Sequence, residues 1–168
     1  MSPSASGPEP RGRALTGPAS YPFPDRAVLP WSHVDSRLAA ARVYWLCTVR
    51  PGEGRAPHVT PLWGAWIDRM LYLDGPPTTR WARNFTAHPA VSVHLESGED
   101  VVILEGVAED VTTDGELGRR IVDDWMGKYG RLAPDPAGDG IWRIRPRSAR
   151  AWSTDALDDG TGWTFTEV

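Results

Sequence analysis

The chain has one cysteine (Cys47), one lysine (Lys128), one asparagine (Asn84) and no glutamine in 168 residues. A single thiol excludes an internal disulfide and any zinc site built from several cysteines. Cys47 lies in a strand-like apolar stretch, which reads as a buried structural thiol rather than a nucleophile. No apolar run approaches about 18 residues, so no membrane-spanning helix is expected. The N-terminus lacks the apolar block of a signal peptide, which makes the cytoplasm the expected address. Positive charge is also short. Eighteen Lys+Arg against 22 Asp+Glu give a net charge of −4, which excludes a general nucleic-acid binder. His33, His58, His88 and His94 form no zinc motif. A Gly-x-Ser-x-Gly elbow is missing. The Gly52-Glu53-Gly54 stretch leads into a strand and lacks a third glycine. Neither a hydrolase nor a dinucleotide-binding fold is therefore supported.

What is abundant is tryptophan, with nine residues, together with 17 glycines and 16 prolines. Many tryptophans in a chain of this length serve a small β core, a stacking surface or a subunit seam. Residues 1–30 are rich in Pro, Gly, Ser and Ala without periodicity, and read as a disordered or extended tail. Residues 31–168 read as one domain. A helix is expected from Ser32, as N-cap, to Ala41. Strands are expected at Arg42–Val49, His58–Ile67 and Met70–Leu73, with a tight turn at Asp68-Arg69. Thr78 or Thr79 caps a helix reaching Ala87. Strands at Val91–Leu95 and Val101–Val111 precede a helix capped by Asp114 and running to Tyr129. Further strands are expected at Ile141–Arg145, Ala149–Ser153 and Gly162–Phe165. Short antiparallel strands with inserted helices predict a mainly β, α+β barrel.

Three constellations carry chemistry. Thr78-Thr79-Arg80-Trp81-Ala82-Arg83-Asn84 opens a helix with hydroxyls and two guanidinium groups three residues apart. Free amides, hydroxyls and guanidinium forks together suit a phosphate monoester; a solvated helix start is the plainer alternative. His58-Val59-Thr60-Pro61-Leu62-Trp63 alternates along a strand, with His58, Thr60 and Leu62 on one face and Val59, Pro61 and Trp63 on the other. The internal proline marks an edge or a bulge, where backbone groups are free to meet a ligand. Trp63 and Trp66 are candidates to wall a flat ring. Arg143, Arg145 and Arg147 share a strand face and either steer an acidic ligand or pair with acidic loops.

In order along the chain stand Trp45-Leu46-x-Thr48-Val49-Arg50, Pro57-His58-Val59-Thr60-Pro61-Leu62-Trp63-Gly64 and Thr79-Arg80-x-x-Arg83-Asn84. After them come His88-Pro89-Ala90-Val91-Ser92-Val93, Glu105-Gly106-Val107-Ala108, Lys128-Tyr129-Gly130 and Arg143 to Trp152. This set resembles the pyridoxamine 5′-phosphate oxidase-like split β-barrel family, and within it the flavin/deazaflavin oxidoreductase branch that uses coenzyme F420. The resemblance covers about residues 30 to 166. It implies a six-stranded split β-barrel with flanking helices and a homodimer with two cofactor sites at its interface. It also implies hydride transfer from reduced coenzyme F420, or alternatively from FMN, to a small unsaturated substrate. By resemblance, His58, Val59, Thr60, Pro61, Leu62 and Trp63 would line the ring. Thr78, Thr79, Arg80, Arg83 and Asn84 would hold the phosphate end, and Lys128 would flank the pocket. His58 and Trp63 stand where pyridoxamine phosphate oxidases carry basic residues, and Trp81 replaces a basic residue of the helix. These departures argue against pyridoxine phosphate as substrate. Gly162 stands before Trp163 where the family often has an arginine. No titratable pair identifies a catalytic acid or base. A rival reading is a protein that holds a flavin, a deazaflavin or a haem without turnover, with His58 or His94 as axial ligand in the last case.

Overall fold

The computed structural model describes residues 9–15, 28–113, 115–138, 140–153 and 160–166. The chain order is β1 (Arg11–Ala14), α1 (Trp31–Ala40), β2 (Tyr44–Val49), β3 (Pro57–Leu62), β4 (Gly64–Ile67), β5 (Met70–Asp74) and α2 (Arg80–Ala87). It continues β6 (Ala90–His94), β7 (Asp100–Asp110), α3 (Gly115–Tyr129), β8 (Ile141–Ser153) and β9 (Thr161–Thr164). All pairings are antiparallel, in the order β1-β9-β8-β7-β6-β2-β3, with β5 also on β8 and β4 on β5. The fold is therefore mostly β with three helices.

Two expected elements differ. The single strand expected over His58–Ile67 is two, because β3 pairs with β2 whereas β4 pairs with β5. The break falls at Trp63, and the hydrogen-bonded path does not close there. Instead of six strands in a split barrel, nine strands among the described residues make one sheet with an open seam between β3 and β4. In the other direction, the two strands expected at 141–145 and 149–153 are one. The register shift between Glu105 and Gly106 absorbs the residues around Pro146, whose missing N–H would otherwise break the ladder.

Alternation decides which residues go inside. On β2, Tyr44, Leu46 and Thr48 are buried while Trp45, Cys47 and Val49 are only half-buried. Val91 and Val93 of β6, Val102 and Leu104 of β7, and Ile144, Ala149 and Ala151 of β8 join the same core. Helix α1 adds Trp31, Val34 and Leu38 at helical spacing. Its N-cap is Pro30, two residues before the expected Ser32, and it gives no side-chain cap. The Tyr44 hydroxyl donates to the Leu38 carbonyl at 2.6 Å, which ties the end of α1 to β2. Helix α3 closes a second cluster of Ala65, Ile67, Tyr72, Ile121 and Ile141. Its expected cap, Asp114, lies outside the described residues.

The extended tail contributes a strand: β1 pairs with β9, with Gly162 between Arg13 and Arg150. The segment around Tyr21 lies outside the described residues. Asp68 and Arg69 both take positive φ, 50° and 62°, as the two-residue hairpin between β4 and β5 requires. Among the described residues no helix is long and apolar enough to cross a membrane.

Ile144 is fully buried at the centre of β8. Truncation to alanine should lower stability by about 2–5 kcal/mol in urea denaturation. Val59→Ala, at a 51 % exposed position, should change it by less than about 0.5 kcal/mol.

Candidate functional site

The N-terminal turn of α2 sits where the sequence places it, and its entry is fixed by a close approach. Gly75 lies against the Trp81 indole so tightly that a Cβ would come within 2.5 Å of it. Thr79 is the N-cap, and its Oγ1 accepts from the Ala82 amide at 3.3 Å. Its hydroxyl proton remains available to a ligand. Among the described residues the amides of Arg80 and Trp81 find no protein acceptor. Thr78, Arg80 and Arg83 are exposed, and neither arginine has a carboxylate partner among the described residues. Trp81 turns the other way, into the core against Phe85 and Trp142.

The rest of the expected phosphate group is a support rather than a surface. Asn84 is 2 % exposed, and its Nδ2 donates to Thr48 Oγ1 at 2.8 Å. Thr48, also buried, lies opposite His58 in the β2–β3 register, and its hydroxyl reaches the His58 carbonyl at 3.3 Å. The chain Asn84–Thr48–His58 thus ties α2 to the start of β3. Partial burial and the nearby charges of Arg50 and Arg80 push the His58 imidazole below its ordinary value. His58 therefore faces the same electropositive space as Arg80. Thr48 and Arg50 belong to the Trp45–Arg50 motif but were not assigned to the site from sequence; the β2–β3 register brings Thr48 opposite His58, and the Arg50 charge acts on it.

Along β3, His58, Thr60 and Leu62 are half-buried, and Pro57, Val59 and Pro61 are exposed. This is the expected alternation on the expected edge strand. Trp63 ends β3 and departs from it. Its ring stacks on Tyr129 at 4.3 Å and 3°. His58 and Trp63 are five residues apart on extended chain, roughly 16 Å at strand rise, so they mark two ends of a line rather than one pocket wall.

Lys128 belongs to the Trp63 end. Its ammonium bridges Asp124 at 2.9 Å, the Tyr44 hydroxyl at 3.3 Å and the Gly64 carbonyl at 3.4 Å. With its side chain 10 % exposed, it braces α3 against β2 and β4 and stands apart from the α2 turn. Trp66 is in the core, its Nε1 donating to Asp35 at 2.8 Å, away from the Trp63–Tyr129 stack.

The arginines of β8 are also spoken for. Arg143 and Arg145 both donate to Glu109, and Arg150 pairs with Glu105 at 2.6 Å. Burial alone would raise the Glu109 carboxyl, but the bonds and charges of the two arginines outweigh it and hold it below the usual range. Of the two readings, the acidic-partner one describes Arg143, Arg145 and Arg150. The outer face of β2, β6, β7 and β8 carries a separate groove of about 520 Å³, lined by Cys47, Val49, Pro57, Ser92, Glu105 and Arg147 among others. Among the described residues no cluster of His, Cys, Asp and Glu could hold a metal ion.

The mostly β, antiparallel sheet with its three helices can be compared with known families. The family model described as pyridoxamine 5′-phosphate oxidase matches residues 31–153. The chain belongs to this flavin-binding family. Among solved structures, the conserved hypothetical protein Rv2991 from Mycobacterium tuberculosis aligns with a TM-score of 0.65 at 24 % identity, covering 88 % of this chain and 97 % of that one. A protein named F420 Reductase aligns with a TM-score of 0.53 at 25 % identity, over 68 % of this chain and 94 % of its own. An FAD-binding protein from Mesorhizobium loti aligns with a TM-score of 0.56 at 23 % identity, over 82 % and 96 % respectively. No curated protein matches the sequence.

The lowered His58 value gives a local reporter. The unfolded chain takes up this proton more readily than the folded one, so acidification through the ordinary imidazole range removes stability. Arg80→Ala should raise the His58 pKa in an NMR titration. Inorganic phosphate should raise it in the wild type and leave the variant unmoved. A His58 resonance indifferent to both changes would detach it from the α2 turn.

Proposed function

We propose that this protein is a homodimeric oxidoreductase that uses the deazaflavin coenzyme F420. The observation that carries the reading is the α2 turn, where two arginines without carboxylate partners, a capping threonine and two open amides converge beside His58. This donor set fits a phosphate ester: amides at a helix start, a hydroxyl donor and two guanidinium forks. Thr78, Thr79, Arg80 and Arg83 would hold that end of the cofactor. Asn84 and Thr48 would hold the turn in place from beneath. The edge of β3, from His58 to Leu62, would run beside the rest of the cofactor. In reduced form the coenzyme would supply a hydride to a small unsaturated organic molecule. The chain's contribution would be orientation and partial exclusion of water. The 25 % identical structure named F420 Reductase supports the deazaflavin over other cofactors of the family.

FMN remains the second reading, because the phosphate grip on α2 is indifferent to which ring follows. A haem-holding protein is the third, and one contact favours it. His94 Nδ1 must donate to the Leu95 carbonyl at 2.8 Å, which leaves Nε2 as the lone-pair nitrogen, and the ring stacks on Trp45. A second copy of the chain is the proposed partner. The outer face of the sheet leaves Trp45, Cys47, Val49 and the groove beside them partly open, as an isologous interface would need. The working compartment would be the cytoplasm.

Titration with oxidised coenzyme F420 and with FMN, followed by tryptophan fluorescence, should show preferential binding of F420. Arg80→Ala should weaken it tenfold to a hundredfold, about 1–3 kcal/mol. Preferential FMN binding would move the protein to the flavin reading, and a Soret band on adding haem with neither flavin bound would move it to the third. Sedimentation should return twice the 18.5 kDa chain mass; a monomer at micromolar concentration would remove the shared-site arrangement.

A further inference from the structure

The far end of β3 carries a feature that the α2 turn does not use. Trp63 and Tyr129 are stacked face to face, and each also carries a guanidinium over its ring. Arg131 lies 5.6 Å from the Trp63 centroid, and Arg42 lies 5.5 Å from that of Tyr129. Two rings 4.3 Å apart leave no space between them. Each guanidinium therefore sits on an outer face, and the four side chains form a ladder of cation, ring, ring and cation. Trp125 packs edge-on against both rings and fixes them from the core side.

Several features distinguish this ladder from ordinary packing. Both guanidinium groups are exposed, and neither has a carboxylate partner among the described residues. Arg42 is anchored, since its Nη1 donates to the Lys128 carbonyl. Among the described residues the one contact of the Arg131 guanidinium is the Trp63 face, and Arg131 stands on the loop that follows α3. The next residue, Leu132, takes φ +52°, a conformation unfavourable for leucine, and its side chain is 72 % exposed. An aromatic face covered by one displaceable cation, beside an exposed apolar side chain, is what a flat anion would require. Its ring would take the place of the guanidinium on Trp63, and its charge would pair with that guanidinium.

We infer that the Arg131–Trp63–Tyr129–Arg42 ladder binds a planar aromatic carboxylate. The ring stacks on the outer face of Trp63, Leu132 covers its edge, and Arg131 swings to the carboxylate. Only in calling this ligand the substrate does the inference rest on the cofactor reading above; the binding itself requires no cofactor.

The test is a titration of the intact protein, without cofactor, with naphthalene-2-carboxylate, followed by tryptophan fluorescence. Binding should saturate, and the neutral methyl ester should bind at least tenfold more weakly. Arg131→Ala should weaken the carboxylate at least tenfold and leave the ester unchanged. Trp63→Ala should abolish binding, and Trp63→Phe, which restores a ring face, should recover it. Inorganic phosphate should not compete. No saturable binding, equal binding of acid and ester, or an Arg131→Ala protein that binds as the wild type does would overturn the inference. Should Trp63→Ala not fold by circular dichroism, Arg131→Ala decides alone. Naphthalene-2-carboxylate bound in this pattern, with F420 and FMN both rejected, would leave the ladder standing and remove the cofactor reading. F420 bound with the carboxylate rejected would do the reverse.

Discussion

Both polar groups of the Gly64 backbone meet the Tyr129 phenol, and the carbonyl also accepts from Lys128. The Tyr129 hydroxyl accepts from the Gly64 amide at 3.0 Å and donates to its carbonyl at 3.1 Å, using a proton and a lone pair at once. These bonds hold the Gly64 peptide toward α3 where the chain leaves β2 at Leu62 and joins β5 from Gly64 onward. The local architecture turns on that departure. It opens the seam in the sheet, delivers Trp63 to the Tyr129 ring and seats the end of α3. A side chain at position 64 would meet Leu71 and the Tyr72 carbonyl at 2.9 Å, so the junction also requires glycine for space.

Charge is organised by the same economy of partners. Arg120 grips Asp68 with two bonds of 2.7 and 2.9 Å, and these hold the Asp68 carboxyl below its ordinary value. Arg37 and His33 share Asp100, and Glu109 takes two arginines. Part-exposed pairs of this sort contribute only about 0–1 kcal/mol each, so their main effect is to fix direction. They also commit Arg37, Arg120, Arg143, Arg145 and Arg150 to carboxylates of the chain itself. Arg80 and Arg83 stand exposed at one end of β3 and Arg131 at the other.

The strand pattern was legible wherever one face is buried. Period-two alternation located β2, β6 and β7 and the start of β3 within a residue or two, and the Thr79 cap was visible from residue type and position. The tail was legible as extended but not as β1, since its partner β9 lies far along the chain. The division at Trp63 was hidden because its cause, Tyr129, lies 65 residues from Gly64. The continuity of β8 was hidden because Pro146 reads locally as a break, and only the register shift against β7, which leaves Arg147 of β8 without an opposite residue, reconciles it. At the site, the type of residue was readable and its depth was not. Asn84 looks like a ligand-holding amide in sequence and proves to be a buried strut, since helix periodicity alone does not say that Thr48 waits beneath it. Lys128 was noticed because it is the sole lysine, but rarity carries no information about place.

Pro57 and Pro61 stand four apart on β3, the last strand of its side of the sheet. With no N–H to give, they can occupy only positions whose amide side faces away from β2. Along the open edge between them, Val59 alone is left with an outward amide. A foreign strand needs a row of alternating donors and acceptors to zip against, and this edge offers carbonyls without their complement. An edge built this way does not template the association of other chains through their backbones.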